Sequence, residues 1–309
     1  MKTLTSGLVV LAGAAALLAT SGMAGCEVNL FNTKSHETRS YDVPGTFTGL
    51  DIDGDSGKVE VVGTDSDTVR IQERRTWSNS RNKPRTERKT EGGMLSLSTV
   101  CANQVIGIGH GCAISYRIEV PKATMAAVQT DSGGLTVTGL TGDSLRLEAD
   151  SGSIKAEGVR TKTLSVHADS GKVLVTGTAD TASLTADSGM IDADGLRSDR
   201  VTVRSSSGMA RLNLLTSPTS LDVDNDSGSV KVWLPADRPY AFDLASDSGS
   251  QEISPSLRRD SASPHRIKIN TNSGSVDVNA LGDRDGRPGV PEMPEPPEAP
   301  EPPEAPERP

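Results

Sequence analysis

A short motif, Asp-Ser-Gly or a close variant of it, recurs nine times in this sequence of 309 residues. From Gly133 to Gly249 the motif glycines follow one another at intervals of 18 to 21 residues. A repeat of this period is typical of chains that stack similar units one on another. The motif glycines are Gly57, Gly133, Gly152, Gly171, Gly189, Gly208, Gly228, Gly249 and Gly274.

Apolar residues surround every motif glycine in the same pattern. At seven and five positions before it, and two and four after it, 35 of 36 residues are apolar, and Gln251 is the exception. The residues between them are mostly polar. This alternation predicts a strand on each side of a tight corner, where glycine adopts a positive φ at no steric cost. Around Gly152 the inward positions are Leu145, Leu147, Ile154 and Ala156.

Neither strand of a repeat can bury its apolar face alone, so the repeats are expected to stack. We therefore predict an all-β fold, a parallel β-solenoid or β-helix of about nine coils of roughly 19 residues each. Antiparallel hairpins in a sandwich are the alternative, and the regular spacing argues against them. Aromatic residues make up only 3% of the chain, which indicates a narrow core of aliphatic side chains and excludes a roomy internal pocket.

The N-terminus has the features of an export signal. The apolar run from Leu8 to Ala19 is too short to span a bilayer, which needs about 20 residues, and suits a signal peptide. Met23-Ala24-Gly25-Cys26 resembles a bacterial lipobox. We predict a lipoprotein signal peptide over 1–25, a palmitate-type lipid on Cys26, and an extracytoplasmic chain anchored to the cell membrane. An ordinary signal peptidase site and an uncleaved anchor are the alternatives.

The remaining boundaries follow from composition. Residues 26–45 are predicted to be an anchor linker, and 46–282 the repeat domain with an irregular insertion over 63–123. Residues 283–309 are rich in Pro and Glu, carry a net charge of -5, and are predicted to be disordered because they have almost nothing to bury. This tail is either a solvated spacer or a ligand for a groove-type peptide-binding domain.

Two features of the insertion are candidates for chemistry. Cys101 and Cys112 are predicted to form a disulfide in an oxidising compartment, worth about 3 kcal/mol in the chain-entropy model. Ligation of a metal together with His110 is the alternative, although a fourth ligand is missing. A basic cluster is the second feature, interpreted as a solvated loop or as a binding patch for phosphate-bearing wall polymers or lipid headgroups. The cluster consists of Arg74, Arg75, Trp77, Arg81, Lys83, Arg85, Arg88 and Lys89.

Motifs that resemble catalytic sites have simpler interpretations. Asp131-Ser132-Gly133 is similar to the nucleophile signature of trypsin-like proteases, but the same tripeptide recurs along the chain. Gly142-Asp143-Ser144 is similar to a hydrolase block whose later Asp and His partners are missing. We expect no enzyme, cofactor or metal site. The stacked corner aspartates are expected to cap turns, with calcium binding as the alternative.

Together, the lipobox, the irregular early segment and the repeated Asp-Ser-Gly-x-Val-x-Val units resemble a bacterial putative-adhesin family. This family consists of exported β-strand-repeat domains of unknown function, and the resemblance covers roughly residues 46–282. It implies no established catalytic residue.

The predicted function is therefore that of a non-enzymatic surface lipoprotein, adhesin-like or otherwise an interaction module of the envelope. The expected partners are the membrane, and wall or glycan polymers or another surface protein. A net charge of -9 argues against nucleic acid. The alternatives are a polysaccharide-acting β-helix enzyme and a structural or stress-related envelope protein without a specific ligand.

Overall fold

The computed structural model describes residues 34–78, 80–101 and 111–283. The predicted signal peptide, Cys26, His110 and residues 284–309 lie outside this part of the chain. Within it, no helix has the length and apolarity needed to cross a membrane.

The described residues form 16 strands and one short 3-10 helix, which confirms the all-β expectation. The 3-10 helix is Ser80–Asn82. The strands are β1 Ser35–Val43, β2 Gly49–Ser56, β3 Val59–Thr64, β4 Val69–Trp77, β5 Arg85–Glu91, β6 Met94–Val100, β7 Cys112–Pro121, β8 Met125–Ser132, β9 Leu135–Thr138, β10 Ser144–Ser151, β11 Ile154–Leu214, β12 Ser220–Leu234, β13 Ala241–Ser248, β14 Gln251–Ile253, β15 Arg266–Ser273 and β16 Val276–Ala280.

The predicted strand faces are confirmed in detail. In eight of the nine repeats all four inward positions are buried, and they join one continuous aliphatic core. Neighbouring repeats pair in parallel at equivalent positions, so that Leu147 of β10 lies opposite Val128 on one side and Val166 on the other. Each apolar column therefore runs through the core from one repeat to the next.

The predicted parallel β-solenoid of nine coils is wrong. All 16 strands belong to one mixed sheet, an open, curled half-barrel whose main path contains 11 strands in the order β1-β4-β7-β3-β9-β11-β10-β8-β2-β6-β5. The pairs β1–β4, β4–β7 and β5–β6 are antiparallel. β11 is continuous from Ile154 to Leu214 and passes through several corner motifs, so its successive parts pair with different strands. Ile154 pairs with Leu135 of β9, whereas Leu164 pairs with Leu145 of β10.

The irregular segment explains part of this difference. The strands of the first repeat, β2 and β3, pair outward with β6 and β7, which come from the predicted insertion. β6 and β7 then receive antiparallel partners, so this end of the sheet does not continue the parallel stacking. One of the added strands, β1, comes from the residues predicted to be a linker.

The opposite end departs from chain order. β15 and β16, the last repeat in the sequence, pair between β12 and the repeat formed by β13 and β14. The terminal layer is therefore Ala241–Ile253, not the last repeat. This explains why a polar residue, Gln251, is tolerated at one of the 36 inward positions: it lies in the terminal layer and is exposed to solvent.

Candidate functional site

A polar cluster fills the end of the sheet at which the antiparallel strands were added. Glu73 of β4 has no solvent exposure. Its carboxylate accepts hydrogen bonds from Arg75 Nη2 at 2.6 Å and Nε at 2.9 Å, and from the Tyr41 hydroxyl at 2.5 Å. Successive residues of β4 alternate between the two faces of the sheet, and Glu73 and Arg75 lie on the same inward face as the buried Val69 and Ile71. A charged pair therefore follows two apolar residues on the core side of this strand.

Tyrosines complete this cluster and link strands across the curl. The Tyr116 hydroxyl of β7 lies 3.0 Å from Thr86 Oγ1 of β5 and 3.1 Å from Thr99 Oγ1 of β6. Burial raises the pKa of Tyr116, and burial together with the hydrogen bond to Glu73 raises the pKa of Tyr41 well above its ordinary value. Both hydroxyls are therefore neutral at physiological pH and suit a structural role.

Side chains rather than backbone hydrogen bonds connect the two ends of the strand path, β1 and β5. Glu37 accepts a hydrogen bond from Arg39, and its carboxylate lies 2.6 Å from Lys83 Nζ. These two cations lower the pKa of Glu37 to about 2. The guanidinium of Arg88 lies 5.7 Å from the centre of the Tyr41 ring. These contacts join β1 to β5 and to Lys83, which lies just before β5, while the half-barrel itself stays open.

The predicted basic patch is divided between different surfaces. Arg75 is inside the polar cluster, Lys83 lies over the Trp77 ring at 4.8 Å and pairs with Glu37, and Arg85 pairs with Glu87. Arg81 lies on the 3-10 helix and also has an interaction partner. Arg88 and Lys89 are exposed on β5, whereas Arg74 is exposed on the outer face of β4. The eight residues therefore do not form one binding surface.

Arg74 instead belongs to a groove that the sequence did not reveal. The groove has a volume of about 190 Å³ and crosses the outer faces of β3, β7 and β4. Its cations are Lys58, Arg74 and Arg117, and its only carboxylate is Glu60. Gln72, Ser115 and Tyr116 complete the lining. We call this surface the cationic groove.

Strand register assembles the cationic groove from three distant parts of the chain. Glu60 lies opposite Arg117 in the β3–β7 pair, and Arg117 lies opposite Gln72 in the β7–β4 pair. Glu60 accepts hydrogen bonds from both Arg117 and Lys58. Glu119 also lies 3.8 Å from Arg117 Nε. Three cations therefore face two carboxylates, and Arg74 accounts for the remaining positive charge. The groove could not be detected from the sequence, because the sequence does not show that β3 pairs with β7.

The aspartates of the Asp-Ser-Gly corners are exposed outside the core, among them Asp131, Asp150, Asp169 and Asp187. The pKa of Asp131 is raised by partial burial and by the neighbouring Asp55 and Asp150. Across the described ranges, no group of three or more His, Cys, Asp or Glu residues is arranged to hold a metal ion.

The two catalytic-looking motifs and the cysteines are also located. Ser132 ends β8 and Ser144 begins β10, and neither has a histidine hydrogen-bond partner among the described residues. Cys101 and Cys112 form the predicted disulfide, with Cα atoms 6.1 Å apart. It joins the end of β6 to the start of β7, next to the polar cluster.

Comparisons with known proteins agree with this architecture. A family model described as Toastrack DUF4097 matches residues 47–281, about three quarters of the chain. A crystal structure described as a putative adhesin from Bacteroides fragilis has 20% identity and a TM-score of 0.54, covering 81% of this chain and 98% of that one. This likeness shows a shared fold. No curated protein matches the chain.

More distant structures carry similar descriptions. A putative adhesin from Parabacteroides distasonis has 13% identity and a TM-score of 0.46, covering 79% of this chain and 97% of that one. A putative lipid binding protein from the same species has 14% identity and a TM-score of 0.37, with 78% and 96% covered.

Proposed function

The chain belongs to the Toastrack DUF4097 family, and from this premise we propose that it is a non-enzymatic, adhesin-like binding module of the cell envelope. Its ligand is a phosphate-bearing envelope polymer, bound in the cationic groove. The observation that carries this proposal is the convergence of Lys58, Arg74 and Arg117 in one groove, where Arg74 has no carboxylate partner among the lining residues.

The charge of the whole chain makes this groove distinctive. The net charge is -9, of which residues 283–309 hold -5, so the chain as a whole does not attract an anionic polymer and binding depends on places where cations concentrate. Arginine and lysine side chains bind phosphate oxygens through charge-assisted hydrogen bonds. Gln72 and Ser115 add neutral hydrogen-bonding groups beside the cations. The groove is open and crosses three strands, so it can accommodate an extended polymer.

Charge reversal at Arg74 tests this proposal directly. Arg74 is exposed, so Arg74→Glu should leave the melting temperature nearly unchanged. We expect it to weaken binding to a purified phosphate-bearing wall polymer by about tenfold, equivalent to about 1.4 kcal/mol. Sedimentation of the polymer with bound protein measures this, and binding should weaken as salt increases.

Arg146→Glu is the matched control. Arg146 is an exposed arginine on the outer face of β10, paired with Glu148 and outside the groove. This variant should bind the polymer as the wild type does. Equal losses in the two variants, or no binding by the wild type, would contradict the assignment. Anionic lipid vesicles in a parallel assay distinguish a wall polymer from headgroup phosphates as the source of the ligand.

A second part of the proposal is that the protein is anchored to the membrane through a lipid on Cys26, which lies outside the described residues. The lipobox-like Met23-Ala24-Gly25-Cys26 and the apolar run before it support this part. We expect the chain to incorporate labelled palmitate in a bacterial host and Cys26→Ser to abolish the label. Labelling that persists in Cys26→Ser would exclude this site. Stable anchoring needs a second acyl chain, because a single chain binds a membrane only marginally.

A further inference from the structure

A cavity of about 420 Å³ lies at the end of the sheet opposite the polar cluster. Phe242, Leu244 and Ile253 of the terminal layer line it, together with Tyr240 and Arg259. The first three occupy inward positions that are fully buried in every internal repeat, yet here they are only half-buried. The cavity exists because the core ends at this layer.

The same layer has unpaired backbone. Among the described strands, β13 pairs only with β15, and β14 pairs only with β16. An open strand edge beside apolar side chains is a template for other chains, and natural proteins commonly cover such edges. The loop between β14 and β15 gives partial cover, since Arg259 Nη2 donates a hydrogen bond to the Ile253 carbonyl at 3.3 Å. The apolar face of the layer stays open.

The lining suits an extended, proline-rich and acidic segment. The half-buried ring of Phe242 faces the cavity and packs 5.8 Å from the buried ring of Tyr240, and proline-rich segments dock on exposed aromatic rings. Arg259 and Asp260 line the cavity, and Arg258 precedes them. The Asp260 carboxylate is occupied within its own loop, where it accepts a hydrogen bond from the Ala262 N–H at 2.9 Å. Both guanidinium groups donate to backbone carbonyls, and neither pairs with a carboxylate in the described part of the chain. Arg259, which lines the cavity, is thus placed to receive a carboxylate from outside.

The described chain ends beside this cavity. The carboxylate of Asp283, the last described residue, accepts hydrogen bonds from Ser254 Oγ at 2.6 Å and Ser256 Oγ at 3.4 Å. Ser254 directly follows Ile253, which lines the cavity. These contacts lower the pKa of Asp283, so its carboxylate stays charged and holds the exit point in place. Asp283 therefore lies next to the segment that follows Ile253, at the open face.

The sequence that begins there has the required chemistry. Residues 284–309 contain ten of the chain's 18 prolines and six glutamates. We propose that residues 284–309 dock in the cavity of their own chain and cover the apolar face of the terminal layer. Proline has no N–H to donate to a strand, so this segment covers the edge without offering a new edge to a further chain.

Hydrogen exchange on the full chain tests this docking. One variant replaces the ten prolines of 284–309 with serine, and a second replaces the six glutamates with glutamine. All these changes lie outside the described strands, so the folded sheet is unaltered. In the proline variant we expect backbone amides of β13 and β14 to exchange about tenfold faster than in the wild type. In the glutamine variant we expect a smaller acceleration.

The internal strand β10 is the reference, because its amide exchange should be equal in all three proteins. Unchanged exchange of β13 and β14 in the proline variant would overturn the proposal. Protection that rises with protein concentration would also overturn it, because a second copy would then cover the edge. This outcome is independent of the cationic groove, which lies at the other end of the sheet.

Discussion

Glu73→Ala is expected to lower the free energy of unfolding by about 3–5 kcal/mol, the range for breaking a buried ion pair by removing one partner. The loss is large because the Arg75 side chain is only 12% exposed and donates two hydrogen bonds to the missing carboxylate. The Tyr41 hydroxyl loses its acceptor as well. Urea denaturation followed by circular dichroism measures the change.

Two comparisons test the cause of this loss. Glu148→Ala removes a carboxylate from the exposed pair with Arg146 and should change stability by less than about 0.5 kcal/mol. Replacing Glu73 and Arg75 together with leucine should recover most of the stability, because paired charges can be exchanged for apolar side chains at little cost. If the double variant is as unstable as Glu73→Ala, the uncompensated arginine is not the cause.

Gly171→Ala is expected to cost about 3 kcal/mol or more, from backbone strain and overpacking together. Gly171 has a φ of +131°, and a Cβ atom there would lie 1.9 Å from the Gly152 carbonyl oxygen. This contact is with the backbone of the neighbouring repeat, so relieving it requires neighbouring layers of the sheet to separate. The midpoint and slope of urea denaturation report the effect.

Gly158→Ala is the comparison variant, because a Cβ atom at Gly158 does not meet a neighbouring layer of the sheet. Gly158 also has a positive φ, of +60°, but a Cβ atom added there would have no heavy atom within 4 Å apart from those of its own residue and its two chain neighbours. Its substitution should lower stability by about 1–2 kcal/mol, the cost of a left-handed conformation for an L-residue. A loss at Gly171 no larger than the loss at Gly158 would contradict the contact with the Gly152 carbonyl as a cause of the requirement for glycine.

The local structure of the repeats could be predicted from the sequence because its causes are local. Leu145 and Leu147 alternate with Arg146 and Glu148, and an extended strand sends successive side chains to opposite faces. Gly152 follows at the position where the chain must turn. The disulfide between Cys101 and Cys112 was also predicted from composition and compartment.

The cationic groove could not be predicted in the same way. The basic cluster at 74–89 drew attention to Arg74, but strand alternation sends Arg74 outward and Arg75 inward. Lys58 and Arg117, the other cations of the groove, are far from Arg74 in sequence. They meet it only because β7 pairs with both β3 and β4. Sequence proximity therefore indicated the wrong set of neighbours.

The sequence by itself determined which side chains enter the core, where the chain turns, and that the fold is all-β. Only the tertiary structure decided the order of the strands, the open curl, and the insertion of β15 and β16 between β12 and the terminal layer. The physical reason is that side-chain alternation is a property of each strand, whereas the backbone edges of all repeats offer the same hydrogen-bonding groups. Which strands pair with each other is therefore determined by long-range packing and by the additional strands at the two ends of the sheet.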